Sequence, residues 1–151
     1  MKTAVFLHVL GAVLFMGNIV TAAFWKVRAE RSGDLRHLQQ TVRNVMLADF
    51  IFTLPGILLL IGSGVWMTHE LGYSLSELNW LTISLALFAL TGLLWLTVLL
   101  PSQRAMIKHS RQALDSGTLG PAYQRASRVW DLFGIIAVIL PLLILYFMTT
   151  K

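Results

Sequence analysis

The sequence predicts an all-α membrane protein, a four-transmembrane-helix antiparallel bundle with both termini outside. Three observations carry this reading. Of the 151 residues 56% are hydrophobic and only 13% charged, with a mean hydropathy of +0.71, where a soluble domain carries about 25% charged residues. The apolar residues gather into four runs, each long enough for a bilayer core that needs about 20 residues. Ten of the twelve Lys and Arg lie in or beside two of the three connecting loops, leaving Lys2 and Lys151 at the ends. That asymmetry is the positive-inside pattern, so the net charge of +5 points to membrane topology and not to nucleic acid. The absence of cysteine excludes disulfides, thiolate ligands, c-type haem attachment and cysteine nucleophiles.

The chain reads as one domain, 1–151, with spans at about 4–25, 44–69, 75–100 and 128–147. The first run is expected to be retained as a span and not cleaved as a signal peptide, because a dense positive cluster follows it. Within it His8, Gly11, Phe15, Asn18, Ala22 and Trp25 recur at alternating steps of three and four and define one stripe. His8 and Asn18 then face one side, about 15 Å apart along the axis. Ser32-Gly33-Asp34 breaks the helix, with Asp34 as the next N-cap. From Leu35 the chain is expected to lie partly in the interface before turning into the second span.

Pro55 should kink the second span, and Gly56, Gly62, Ser63 and Gly64 should admit a close neighbour. Ser74 and Glu77 form a capping-box pattern that starts the third span near Leu75. Pro101 kinks that span, which leaves the membrane carrying Arg104, Lys108, His109 and Arg111. Asp115 to Pro121 is a turn, and Pro121 suits the first turn of the last helix. Trp66, Tyr73, Trp80 and Tyr146 are expected at the outer interface, with Trp25 and Trp130 at the inner one.

Two polar layers emerge from this topology. His8 and His69 belong to the outer layer, where neutral imidazole could ligate a b-type haem or a metal. Asp49 and His69 are 20 residues apart, which sets them on opposite faces of a straight helix. Asp49, Asp131, Asn18, Arg43, Arg104 and Arg128 belong to the inner layer. There the carboxylates either form structural ion pairs, with Arg104 and Arg128 near enough in depth, or serve as a proton or substrate-anion site. His37 and His109 read as solvated, and the basic loops as contacts for anionic headgroups.

Several segments carry a resemblance. They are Leu7 to Ala12, Leu47 to Gly56, Gly72 to Leu75, Asn79 to Leu85, and Trp130 with Gly134. These resemble the predicted integral membrane proteins of a bacterial domain family of unknown function, over nearly the whole chain. More distantly, the layout resembles the HemJ-type protoporphyrinogen oxidases and the membrane domain of CopD-type copper proteins. That resemblance implies haem b at His8; from the polar layers themselves His69 and Asn18 are the further candidate cofactor contacts and His8 the candidate metal ligand. It also implies Asp49, Arg104 and Asp131 as catalytic groups acting on a porphyrin or quinone. Asp131 stands where those enzymes carry a glutamate beside an asparagine. The expected function is a membrane oxidoreductase of the bacterial cytoplasmic (inner) membrane. The alternative is a non-enzymatic accessory, assembly or small-solute or copper-handling subunit, working as a homo-oligomer or with a membrane partner.

Overall fold

The computed structural model describes residues 1–72 and 78–150. They form four long helices: α1 (Lys2–Arg31), α2 (Leu35–Leu71), α3 (Trp80–Ser116) and α4 (Pro121–Thr149). Each contains an apolar stretch long enough to cross a membrane. At 1.5 Å per residue the 37-residue α2 and α3 reach about 55 Å, well beyond a hydrocarbon core of about 30 Å. The surplus lies at the end that carries the basic residues, here the basic end. The opposite end, holding Met1 and Thr150, is the terminal end.

The helix boundaries follow local chemistry. Asp34 caps α2 by accepting from the backbone N–H groups of Arg36 (2.9 Å) and His37 (3.1 Å). From there α2 runs without a break into its membrane segment, so the interfacial turn expected after Leu35 is replaced by one continuous helix. Helix α3 starts at Trp80, later than the expected Leu75. Asn79 accepts from the N–H groups of Leu81 and Thr82, and Thr82 answers with a bond to the Asn79 N–H, a complete capping box. The Ser74–Glu77 pattern and Tyr73 lie outside the described residues. Gly117 ends α3 with φ +76°, a left-handed cap open to glycine, and Pro121 opens α4.

Both prolines of the middle helices are accommodated by a widened turn. Asp49–Thr53 and Trp95–Leu99 are π-helical, each starting six residues before Pro55 or Pro101. The Leu54 N–H bonds to the Asp49 carbonyl, and the Leu100 N–H to the Trp95 carbonyl. A proline removes one N–H and crowds the carbonyl four residues back, and the extra residue in the turn relieves that crowding.

Packing differs between the two halves. At the basic end Leu38, Val42 and Val45 of α2, Met106 of α3, Tyr123 and Trp130 of α4, and Ala22 and Ala29 of α1 form one buried core. All four helices contribute to it. At the terminal end, Leu54–Leu71 of α2 packs on α1 alone, and Trp80–Leu94 of α3 packs on α4 alone. Among the described residues no Cα of that α2 segment comes within 8 Å of α3 or α4. The terminal half is therefore two separate helical hairpins. They touch where the rings of Phe15 and Phe88 meet edge to face at 6.2 Å. Beneath those rings lies an apolar cavity of about 40 Å³, lined by Ile19, Ile57, Trp95 and Ala137 among others.

Within the first hairpin the backbones meet directly. A Cβ on Gly11 would stand 2.9 Å from the Gly56 carbonyl oxygen, and one on Gly56 the same distance from the Gly11 oxygen. Small residues at this crossing permit that approach. The outward faces, such as Val9, Val13, Leu58 and Val65, are exposed as lipid-facing positions are. Trp130 does not belong to an interfacial belt. It is 6% exposed and part of the core, while Trp25 is 59% exposed.

Candidate functional site

The α1 stripe delivers three polar side chains to three depths, and each finds a different environment. Nearest the terminal end is His8, half-buried, whose Nδ1 lies 3.0 Å from Ser63 Oγ. The Ser63 hydroxyl donates to the Leu59 carbonyl, so its oxygen is left to accept. This assigns the Nδ1–H to the serine and leaves the lone pair of a neutral ring on Nε2. The ring lies over Gly64, where an added Cβ would sit 3.7 Å from His8 Cε1. His8 and Lys26 are 18 residues apart, five full turns, so they share one side of α1. His8 nevertheless turns to α2 of its own hairpin, where Ser63 and Gly64 meet its ring.

Deeper, Asn18 donates from Nδ2 to Asp49 Oδ1 and to Thr53 Oγ1, both at 2.9 Å. Thr53 donates its hydroxyl to Asp49 Oδ1 at 2.9 Å, and Gln103 Nε2 donates to Asp49 Oδ2 at 2.6 Å. Asp49, at the start of the π turn, is 4% exposed. No cation touches it among the described residues. The Gln103 Oε1 and the Trp95 Nε1 are buried with no hydrogen-bond partner. The Trp95 indole turns toward the same carboxylate without reaching hydrogen-bonding geometry.

Nearest the basic end is Lys26, 0% exposed. Its Nζ contacts Asp131 Oδ1 (2.7 Å), Ser127 Oγ (2.6 Å) and Glu30 Oε1 (2.9 Å), and lies 5.4 Å from the centroid of the Trp130 ring. Glu30 also accepts from the Tyr123 and Ser127 hydroxyls. One buried ammonium thus gathers two carboxylates, a serine and an aromatic face, and joins α1 to α4.

Depth alone places Asp49 and Asp131 in one layer, with Arg104 and Arg128 as the expected partners. In the structure the two carboxylates sit in separate clusters two turns of α1 apart, served by Asn18 and Lys26. Arg104 and Arg128 are both exposed. A flexible arginine at a membrane boundary gains more from water and headgroups than from a buried carboxylate already held by neutral donors. His69 is exposed at the far end of α2, beyond Ser63. Both Nδ2 hydrogens of Asn18 are committed. Among the described residues no three His, Cys, Asp or Glu side chains converge on a point where a metal could bind.

Lys26, Gln103 and Ser63 carry these clusters; Ser63 is legible in the sequence only as a small residue at a helix crossing, and Lys26 and Gln103 are not among the expected site residues. For Lys26 a signal was present. A straight α-helix drifts off a strict seven-residue repeat, so the stripe through Gly11, Phe15 and Ala22 continues to Lys26 and not to Trp25. Lys26 also stands one turn from Glu30, as Ser127 does from Asp131. Nothing comparable marks Gln103, whose partner is 54 residues away.

Four apolar helices, basic residues at one end and polar clusters buried between helices define a multi-pass integral membrane protein. Residues 2–151 match the family model described as Predicted integral membrane protein (DUF2269), and the chain belongs to that family. No curated protein and no solved structure matches the chain.

Proposed function

We propose that the protein is a membrane redox protein that holds a b-type haem at His8, in the cleft between the hairpins. The observation that supports this is the Ser63-fixed imidazole, which leaves the lone pair of the neutral ring on Nε2. Metal-binding histidines characteristically give their other ring N–H to such a partner. The residues present fit the group in part. The ligand nitrogen is available, and the cavity at the Phe15–Phe88 pair is apolar. The enclosed cavity of about 40 Å³ is far below the 300–1,000 Å³ typical of ligand pockets, so the ring would occupy the open cleft above the Phe15–Phe88 pair. Haem there would supply one-electron exchange with a flat apolar partner, a quinone or a porphyrin.

The chain's own contributions are separate from that chemistry. Ser63 fixes the tautomer. Gly64 makes room for the His8 ring, and the Gly11–Gly56 contact sets its position between α1 and α2. Phe15 and Phe88 close the floor against water. Asp49 is the proton-handling group of this reading, Asp131 is held by Lys26, and the exposed Arg104 meets acidic groups at the basic end. The positive-inside rule supports an orientation in a bacterial cytoplasmic membrane with the basic end inside and both termini outside.

A second reading, a non-enzymatic subunit, is favoured by the Lys26 cluster, which joins helices as a structural crosslink does. In that case the open terminal half would receive a partner or a second copy. A copper-handling role draws less support, since His8 stands without two further His or carboxylate ligands among the described residues.

An absorption spectrum of the purified protein, oxidised and then reduced, separates these readings. Expression with ample haem should give near-stoichiometric haem with sharpened reduced bands, lost in His8→Ala and weakened in Ser63→Ala. A colourless wild-type protein would exclude the haem reading and leave the subunit reading.

A further inference from the structure

The Asp49 cluster, the proton-handling group of the haem reading, has an imbalance whose consequence goes beyond that reading. Asn18 gives both Nδ2 hydrogens, Thr53 gives its hydroxyl, and Gln103 gives an Nε2 hydrogen to Oδ2. Beside that bond, on the same rigid amide, Gln103 Oε1 is buried without a partner in a side chain only 2% exposed. Two oxygen acceptors, the carboxylate and this carbonyl, thus lie next to each other, and the unpaired Trp95 Nε1–H beside them is in hydrogen-bonding geometry with neither.

The groups facing Asp49 are Asn18 from α1, Thr53 from α2, and Gln103 and Trp95 from α3. All are neutral. A buried carboxylate without a positive partner is costly, and structures resolve that cost by pairing or neutralising the charge. The missing component is one positive charge. With a single carboxylate and, among the described residues, no further acidic or histidine side chain converging on it, that charge is univalent.

We infer that the Asp49–Gln103 cluster is a binding site for one monovalent cation, H⁺ or Na⁺, held between the Asp49 carboxylate and the Gln103 side-chain carbonyl. The site stands whether or not haem binds at His8. Both cations supply the same chemistry, a small positive charge shared by two oxygens, and they are told apart by competition.

Infrared difference spectroscopy on the full-length protein in lipid reads the carboxyl directly. If H⁺ is the ligand, spectra between about pH 5 and about pH 9 contain a carboxyl C=O band that is absent in Asp49→Asn and indifferent to replacing Na⁺ by choline. If Na⁺ is the ligand, the carboxylate stretches move when Na⁺ replaces choline at fixed pH, and Asp49→Asn loses that response. Identical spectra for wild type and Asp49→Asn across pH and in both salts would overturn the proposal. Should Asp49→Asn not fold, as judged by its helical circular dichroism, Gln103→Leu provides the second test. It should move the pH or Na⁺ midpoint about tenfold, the effect of one charge-assisted contact. An unmoved midpoint would overturn the proposal equally.

Discussion

The basic half and the terminal half are made from the same four helices and are held together by different means. At the basic end, side chains from all four helices share one core, with Lys26 joining α1 to α4. At the terminal end, two hairpins each have their own seam and meet through the Phe15–Phe88 contact. Water and headgroups at a membrane boundary allow long amphipathic helix ends to pack by burying apolar faces, as in a soluble bundle. Within lipid that driving force is absent, and close backbone approach and polar contacts must do the packing. The hairpin α1–α2 has both, through Gly11–Gly56 and His8–Ser63. The opposing hairpin offers neither to it. The site-bearing half is thus the half with the weaker internal tether.

The sharpest way to break this contrast is at Lys26. Lys26→Met leaves Glu30, Asp131 and Ser127 without their cation. Removing one partner of a buried ion pair costs about 3–5 kcal/mol, and the lower end applies because Asp131 is 41% exposed. Unfolding in a denaturant titration should show a loss near about 3 kcal/mol, with the Ser63–His8 seam intact until the global transition.

Gly56→Leu attacks the terminal half instead. The new Cβ meets backbone atoms at 2.9 Å, which cannot move aside as a side chain could. A cost of about 1–3 kcal/mol is expected. Distances between spin labels on the terminal ends of α1 and α2 should lengthen, while labels at the basic end stay put. A uniform change in both would mean that the halves are not independent.

Phe88→Ala gives the smallest stability effect, about 1 kcal/mol, from loss of one edge-to-face pair in a lipid-facing cleft. Its informative readout is the inter-hairpin distance at the terminal end, which should broaden. A distance as narrow as in the wild type would show that the hairpins are tied by more than these rings.

Much of this architecture is legible in the sequence. The helix count, the Asp34 cap and the stripe from His8 to Ala22 follow from periodicity and local capping chemistry, which are properties of neighbouring residues. The pairing of Asp49 with Gln103, and of His8 with Ser63, depends on which helix faces which, and that information is spread over 54 and 55 residues. Depth alone placed Asp49 and Asp131 together. It could not separate them, because depth says nothing about azimuth. Lys26 was obscured for another reason: a lysine at a loop boundary looks like a topology signal until three-dimensional packing closes over it.

The paired π turns have a mechanical meaning. Each inserts one residue into an otherwise regular screw, which advances everything beyond it by about 100°. They act as phase slips. The thread that faces the four-helix core below Asp49 and Trp95 is not the thread that continues above them. Each middle helix can therefore serve a shared core at one end and a private partner at the other without bending its sequence pattern to suit both. Straightening the Asp49–Thr53 turn to α geometry with every residue kept would carry the Gly56 and Ser63 face about 100° away from α1, whereas deleting one residue along with the turn would leave that face toward α1.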